Sequence, residues 1–498
     1  MAVNSKQSVT TKHDDYHKYA PDWKRCRDAA AGQRAVQKAG TDYLPRLTEQ
    51  SEAEYQAYKS RAVFFNATWR TVVGLEGMIF RKPYVIDIPA SIKSMLDNVD
   101  MSGTPLEIFA LEVTEELLIT GRQGLLVDCP RVIAGATAAD AQRANVRPYL
   151  VAYPPESILN WRCGVVNNAK VLTFIVLEET DESVGDDEFT TKTEKQWRVL
   201  DLVAGVYRQR IFKLDAKGEQ YVVPGSEVYP LQNGVTMPFI PFYFIGVDDA
   251  SEEVDDPPLI DLVNMNLSHY RTTADYEHGC HFTGLPQPWI SGYTKIDNEK
   301  LTIGSTSAWI FPDTQAKAGY LALDSGFKAL ETNLANKEKA MAVLGARMLE
   351  HQRIQAEAAD TARIHRSGES SMLATMARAI SQGMKLALQQ LSDWAGGKTP
   401  VVFELNRDFV PAHMQPQEIT AIVAAWQLGA ISKESLFLNL QKGELIADDV
   451  TFEEEEQRID EDQNTAAARA VKDAVNQAQA LADLQQANDG ADAQGSIG

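Results

Sequence analysis

No run of about eighteen apolar residues occurs in this 498-residue chain, so no membrane-spanning helix is expected. The opening stretch, Met1 to Lys12, is polar and lacks the apolar core of a secretory leader, which predicts a soluble, intracellular product. Cysteine is scarce. Cys26, Cys129, Cys163 and Cys280 stand far apart and form no Cys-x-x-Cys pair, which argues against a disulfide framework or a closed zinc site and predicts four reduced, mostly buried thiols. Positive charge is also short: 48 Lys and Arg against 69 Asp and Glu leave a net charge of -21. Affinity for nucleic acid comes largely from Lys and Arg at the phosphates, so tight DNA binding is disfavoured. With 44% hydrophobic and 23% charged residues, the chain is not of the disordered class and can bury a core in two or more structural units.

The periodicity predicts an α+β protein. A first long helix is expected over about 52–79, where Tyr55, Tyr58, Ala62, Phe65, Trp69 and Val72 recur at three- and four-residue steps, and Pro83 stops it. A second runs from Pro105 to Thr120 and ends at Gly121. From Gln123 to about Gly246 the period shortens to that of strands, at 124–128, 148–153, 170–178, 196–203 and 205–213. The connections Ala204-Gly205 and Asp215 to Gly218 suit an antiparallel meander. After Pro257-Pro258, a helix is expected over 259–278, a turn-rich segment with short strands over 279–326, and two helices over about 327–355 and 369–394. The first of these two would span on the order of 40 Å. A strand at VVFEL and a pair of short helices about Gly429 follow, with Ser432 as a cap. The Ala-, Gln- and Asp-rich end, 463–498, reads as a frayed low-complexity tail. Two acidic blocks, Glu178 to Glu188 with seven carboxylates and Glu444 to Asp462 with ten, read as solvated loops or faces.

Candidate chemistry is thin. Gly396-Gly397-Lys398-Thr399 resembles the end of a phosphate loop, but Ser392 stands where the first glycine belongs, and a helix precedes where a strand is needed; a helix-ending turn is the simpler reading. His278, Cys280 and His281, with His269 and Glu277 near, match no common zinc spacing. Asp248-Asp249 and Asp255-Asp256 read as loop carboxylates rather than a cation site. Neither a Gly-x-Ser-x-Gly elbow nor a His-Glu-x-x-His helix is present. No enzymatic activity, cofactor or metal is expected.

The order of elements, with YLPRL at 43–47, RAVFFNATWRTVVGLEGMIFRKP at 61–83, LSHYRTTADYEHGCHFTGLPQPWISG at 267–292, AWIFP at 308–312 and LGARML at 344–349, resembles the portal (head-tail connector) family of tailed bacteriophages over roughly residues 40–462. The resemblance implies a portal-like ring subunit. Its divisions would be an N-terminal arm (1–39), a wing of helices plus antiparallel sheet (40–256), a first stem helix (257–278), a small clip (279–326), a second stem helix (327–350), a channel loop (351–368), a wing helix and strand (369–411), a helical crown (412–462) and a tail (463–498). It further implies a homo-oligomer of about twelve copies at one capsid vertex, through which double-stranded DNA passes non-specifically during packaging and ejection. The implied partners are the terminase large subunit, major capsid and scaffold proteins, and adaptor or connector proteins. No membrane is involved, and the location is the virion, with assembly in the host cytoplasm. Rival readings are another head or connector structural protein, or a nucleotide- or metal-dependent enzyme.

Seven bases fall between Gly326 and Arg366 against five acids: Lys328, Lys337, Lys339, Arg347, Arg353, Arg363 and Arg366 are the DNA-channel candidates. Ordinary helix-surface pairing, such as Lys328 with Glu331, accounts for them equally well. Leu344, Gly345, Ala346 and Met348 are the stem-packing candidates. A Gly inside a helix costs about 1 kcal/mol relative to Ala, so its presence suggests close approach of a neighbouring backbone, expected here from the next copy in the ring.

Overall fold

The computed structural model describes residues 8–130, 146–166, 168–184, 187, 189–284, 287–292, 315–321, 327–346, 371–409, 416–428, 430–443, 445–446 and 450–461. The chain divides into two compact units, Met1–Phe409 and Val410–Gly498. The α+β expectation holds: helices and antiparallel strands are mixed throughout the first unit.

Residues expected as an N-terminal arm form two helices instead, α1 (Asp14–Ala31) and α2 (Gln33–Ala39). Trp23, Cys26 and Ala29 of α1 are fully enclosed, so this segment is core and not appendage. Arg27 fastens it, reaching Glu116 Oε1 at 2.7 Å and Glu156 Oε2 at 2.8 Å.

The expected helix over 52–79 is two helices, α3 (Glu52–Arg61) and α4 (Ala67–Ile79). One local and one distant asparagine stand at the break. The side chain of Asn66 accepts from Trp69 N at 3.0 Å, capping α4, and donates to Ala30 O at 3.1 Å. The fully buried Asn266 donates to Phe65 O at 2.7 Å and accepts from Thr68 N and Oγ1. Tyr55, Tyr58, Ala62 and Val72 remain in the core, but the break leaves Phe65 and Trp69 on the surface.

β1 (Val85–Asp87) and the short α5 (Ala90–Lys93) precede α6 (Leu106–Thr120), which ends at Gly121 with φ +76°, as its sequence predicts. β2 (Arg122–Asp128) is wholly buried between β3 (Tyr149–Tyr153) and β11 (Phe242–Gly246) in a three-stranded sheet. A second sheet is the meander β4 (Ile158–Val166), β5 (Ala169–Val184), β6 (Thr191–Val203), β7 (Val206–Leu214) and β8 (Gln220–Val222), antiparallel throughout. Between β6 and β7, Ala204 and Gly205 both have positive φ, 51° and 78°, which matches the right-handed twist of a tight hairpin. β9 (Leu231–Gln232) and β10 (Val235–Thr236) make a small hairpin.

The acidic block that opens at Glu178 is strand, not loop, as far as Val184. Its carboxylates are paired across the sheet: Glu178 with Lys195, Glu179 with Arg198 at 2.7 Å, and Asp181 with Lys213 at 2.6 Å. Two of these pairs join β5 to the neighbouring β6, whereas Lys213 reaches Asp181 from β7, and the Glu179–Arg198 pair is largely enclosed.

α7 (Ile260–Gly284) carries the chain to β12 (Gln287–Ser291), which pairs with β13 (Lys317–Leu321) before α8 (Phe327–Ala346) returns. α9 (Met372–Trp394), capped by Ser371, is the central helix, with Leu373, Ile380, Met384, Leu388 and Leu391 all at 0% exposure. It lies against β11 and β14 (Val402–Glu404), and β14 pairs with β1. The second unit contains α10 (Pro416–Gln427), α11 (Lys433–Lys442) and α12 over 452–461; Phe437 packs on Phe452, and Lys433 reaches Glu456 at 3.1 Å. Half of the second acidic block is therefore helical.

Of the four cysteines only Cys26 is buried; Cys129, Cys163 and Cys280 are half-buried, and all are free thiols.

Candidate functional site: a two-helix stalk

α7 and α8 form an antiparallel pair. The first half of α7 lies in the core, with Leu262, Val263, Asn266, Leu267, Tyr270 and Ala274 enclosed, while 275–284 emerges. α8 is bare by comparison: of its 20 residues only Met341 is buried. Contacts between the helices run in one register. The Phe327 ring lies over Gly279, where an added Cβ would meet its Cε1 at 2.6 Å. Tyr276 donates to Glu331 Oε1 at 3.1 Å and packs edge-on against Phe327. Lys337 donates to Ser268 O at 3.0 Å and to Thr272 Oγ1 at 2.6 Å. His269 Nε2 lies 3.5 Å from Glu338 Oε1, an ion-pair distance rather than a hydrogen bond.

Gly279 explains why α7 does not stop at His278 as its sequence suggests. The glycine is a seat for Phe327, and the helix continues one and a half turns to Gly284. His278, Cys280 and His281 therefore belong to the helix itself. His278 Nδ1 is 3.0 Å from Arg61 Nη2, and its ring packs against Tyr58 and Phe282. Burial, then the neighbouring Arg61 and His281, hold its pKa below the ordinary 6.5. Tyr58 also donates to Asp275 Oδ1 at 2.6 Å, tying α7 to α3. Among the described residues no group of three or more His, Cys, Asp or Glu gathers to hold a metal ion. No helix among them is long and apolar enough to cross a membrane.

The channel candidates separate. Lys328 and Lys339 are exposed on α8, and Glu331 meets Tyr276 rather than Lys328. Lys337 turns inward and holds the helix pair together; burial and the nearby Arg271 lower its pKa. Arg347, Arg353, Arg363 and Arg366 lie outside the described residues. Among the packing candidates, Leu344 is half-buried against the core, Ala346 is exposed, and Met348 lies outside the described residues. A Cβ on Gly345 would stand 3.2 Å from Thr71 Cγ2, so its close neighbour is α4 of the same chain.

Elsewhere, Gly396 has φ +78° and Gly397 N donates to Ser392 O at 2.8 Å, so the GGKT stretch closes α9 as a turn with no helix N-terminus behind it. Asp255 accepts from Val247 N at 2.8 Å, which ties the loop carboxylate to backbone; burial raises its pKa. A cleft of about 780 Å³ between β7, the 223–231 segment and Trp394 has Asp128, Arg198 and Gln209 in its lining. All three are bound to one another: Arg198 Nη1 to Asp128 Oδ2 at 2.9 Å, and Gln209 Nε2 to Asp128 Oδ1 at 3.0 Å. Sequence reasoning missed this cluster because its members come from three strands.

The profile of a family described as Domain of unknown function (DUF4055) matches residues 258–395, the span from the start of α7 to the end of α9. No curated protein matches the chain. Solved structures similar to it include a chain from the neck of a native GTA particle computed with C12 symmetry (TM-score 0.38, 11% identity, covering 82% of this chain and 98% of that one) and one from the neck of an empty GTA particle computed with C6 symmetry (TM-score 0.37, 12% identity, with the same coverages).

Proposed function

We propose that this chain is a structural subunit of a tailed-phage portal, assembling into a ring through which double-stranded DNA enters and leaves the capsid. The observation that carries the reading is α8: a 20-residue helix with one buried residue, joined to α7 through a two-stranded hairpin. A helix of that length is stabilised by covering an apolar face, and here the single chain covers little of it. The hairpin has the same need. Two strands alone are marginal in water, and Trp289 and Tyr320 stand exposed on it. Neighbouring copies would supply both covers, and the ordered motifs at 43–47, 61–83 and 267–292 agree with the same family.

In this arrangement the chain guides DNA rather than gripping it. Each phosphate contact adds affinity through released counterions, and a lumen dense in such contacts would act as a brake. A chain of net charge -21 suits a passage with few contacts. Lys328 and Lys339 are the described bases left to face DNA, since Lys337 is occupied within the stalk. Terminase, capsid, scaffold and adaptor proteins are the partners this reading requires. Negative-stain microscopy of the purified chain tests it: rings of about a dozen subunits with a central hole are expected. A species that stays monomeric or dimeric at high concentration and moderate salt overturns it.

A further inference from the structure

β5 and β6 outrun their neighbours. β4 leaves β5 at Leu177 and β7 leaves β6 at Trp197, yet the two strands stay paired out to Val184 and Thr191. The distal part is a two-stranded ribbon, and among the described residues no third strand joins it. Asp181 stands opposite Glu194, a like-charge pair resolved by Lys213, whose Nζ lies 2.6 Å from one and 3.3 Å from the other. Past that point the sequence from Asp181 to Phe189 holds five carboxylates and no base. Phe189 is 89% exposed. Asp187 Oδ1 accepts from Phe189 N at 2.9 Å.

A surface of opposite character lies on α2 to α4. Val63, Phe65, Trp69 and Val73 are 50%, 38%, 38% and 45% exposed and lie along the α3–α4 junction and α4. A Cβ at Gly74 or Gly77 on α4 would meet nothing within 4 Å. The sequence from Tyr55 to Leu75 contains Lys59, Arg61 and Arg70 and no acid. α2, whose Gln37 donates to Lys59 O and Ala62 O, adds Arg34 and Lys38. Among the described residues none of these five bases forms an ion pair; Arg70 lies instead over the Phe65 ring, 4.9 Å from its centroid.

We infer that the Phe189 tip of one copy docks on the Phe65/Trp69/Val73 surface of the next. The inference rests on the ring reading above. An acidic ribbon ending in an exposed aromatic and an aromatic surface whose Arg34, Lys38, Lys59 and Arg70 outnumber the half-buried Glu76 of α4 and the Glu338 beside His269 are complementary in net charge and in apolar character. They are different surfaces of one chain, so their contact is head-to-tail, the type that closes rings. Covering Phe189 removes on the order of 150–250 Å² of apolar surface from water, which marks it as the anchor and the carboxylates as the guide.

Two sets of variants of the full chain test this. Phe189→Ser spoils the tip and leaves the surface; Trp69→Ala with Arg70→Glu spoils the surface and leaves the tip. All three positions are exposed, and circular dichroism reports folding. Each variant alone is expected to need about thirtyfold more protein than wild type to form rings. Mixed under dilute conditions where neither assembles, they should give a one-to-one heterodimer and nothing larger, because one sound tip meets one sound surface. Glu182→Lys should partly restore assembly to Arg70→Glu. If wild type forms rings and the variants do so equally well, the docking is wrong and the ring reading stands. If wild type never forms rings, both fall. If the α4 variants form normal rings but lose binding to a short DNA duplex, the surface serves nucleic acid and the docking is refuted.

Discussion

Gly383 lies in the middle of α9, where it faces β11. An ideal Cβ there would stand 2.4 Å from Ile245 Cγ1 and 2.7 Å from its Cδ1, and Ile245 is 0% exposed. Carbon atoms pack best at about 3.5–4.0 Å, so helix or strand must separate by roughly 1 Å to admit a methyl group. Gly383→Ala thus sets two effects against each other. Replacing an interior helical glycine stabilises by about 1 kcal/mol, whereas overpacking a closed core costs about 1–3 kcal/mol. Ile245 is branched at Cβ and cannot swing aside, so the larger cost wins, and a net loss of about 1–2 kcal/mol is expected. Ile245→Ala alone costs about 2–5 kcal/mol, but it removes both crowding atoms and leaves only Cβ at 3.6 Å, an ordinary contact. In that background Gly383→Ala should turn stabilising by about 1 kcal/mol, giving a coupling of about 2–3 kcal/mol. Urea unfolding of the four proteins, followed by circular dichroism at a concentration below ring assembly, measures it. A stabilising Gly383→Ala in the wild-type background with additive effects would refute the argument that α9 and β11 meet at a glycine contact.

Arg198→Met should cost about 3–5 kcal/mol, because it strands Asp128 and Glu179 together with side chains only 10% and 16% exposed; Asp128→Asn in the same background should recover part of the loss in urea unfolding. His278 is neutral in the fold, its pKa lowered by burial and by Arg61, so the unfolded chain binds its proton first as pH falls. Stability of the α7–α3 contact should therefore be full above about pH 6.5, decline as pH falls below that value, and level off beneath the folded pKa. Hydrogen exchange over 275–284 at pH 7.5 and 5 reads this, and His278→Gln should remove the difference. Gly345→Leu should lift the end of α8 from Thr71 and reduce ring recovery with helix content kept, whereas Gly345→Ala should stay within about 1 kcal/mol of wild type, the helix gain offsetting a 3.2 Å contact; sizing beside circular dichroism decides, and normal rings from Gly345→Leu would show that α8 is not set by this contact.

How far the fold was legible depended on whether the deciding contacts were local. α6 could be read to its ends because Pro105 and Gly121 carry their own backbone preferences, and α9 because its apolar stripe runs unbroken for six turns. The β6–β7 turn likewise follows from two adjacent residues. The break at 62–66 was not legible: a periodic stripe passes straight through it, and the Asn66 cap acts together with Asn266, two hundred residues away, which holds Phe65 O and Thr68 N. β4 was missed since Asn160, Arg162, Cys163 and Gly164 dilute its strand pattern, and it becomes a strand because β5 pairs with it. The acidic block, read as solvated loops or faces, is a strand face as far as Val184 for a related reason. Charge density indicates solvent only when the bases that neutralise it are absent, and here they stand on β6 and β7.

The same distinction governs the stalk. The two helices and a turn-rich segment with short strands between them could be placed from periodicity and glycine, six residues short at the end of α7, but which lysine faces outward could not, since it depends on rotation about the helix axis set by the partner helix. Lys328 and Lys339 are eleven residues apart, three turns, and share an outward face, while Lys337 falls on the inner side where Ser268 and Thr272 wait for it. Gly345 shows the limit more sharply. Its rarity inside a helix suggested the backbone of the next copy; within this chain the near atoms belong instead to the Thr71 side chain. A small residue therefore marks a contact without naming its owner. An exposed aromatic such as Phe189 marks a surface whose owner the chain itself does not cover, and it is there that a ring interface should be sought.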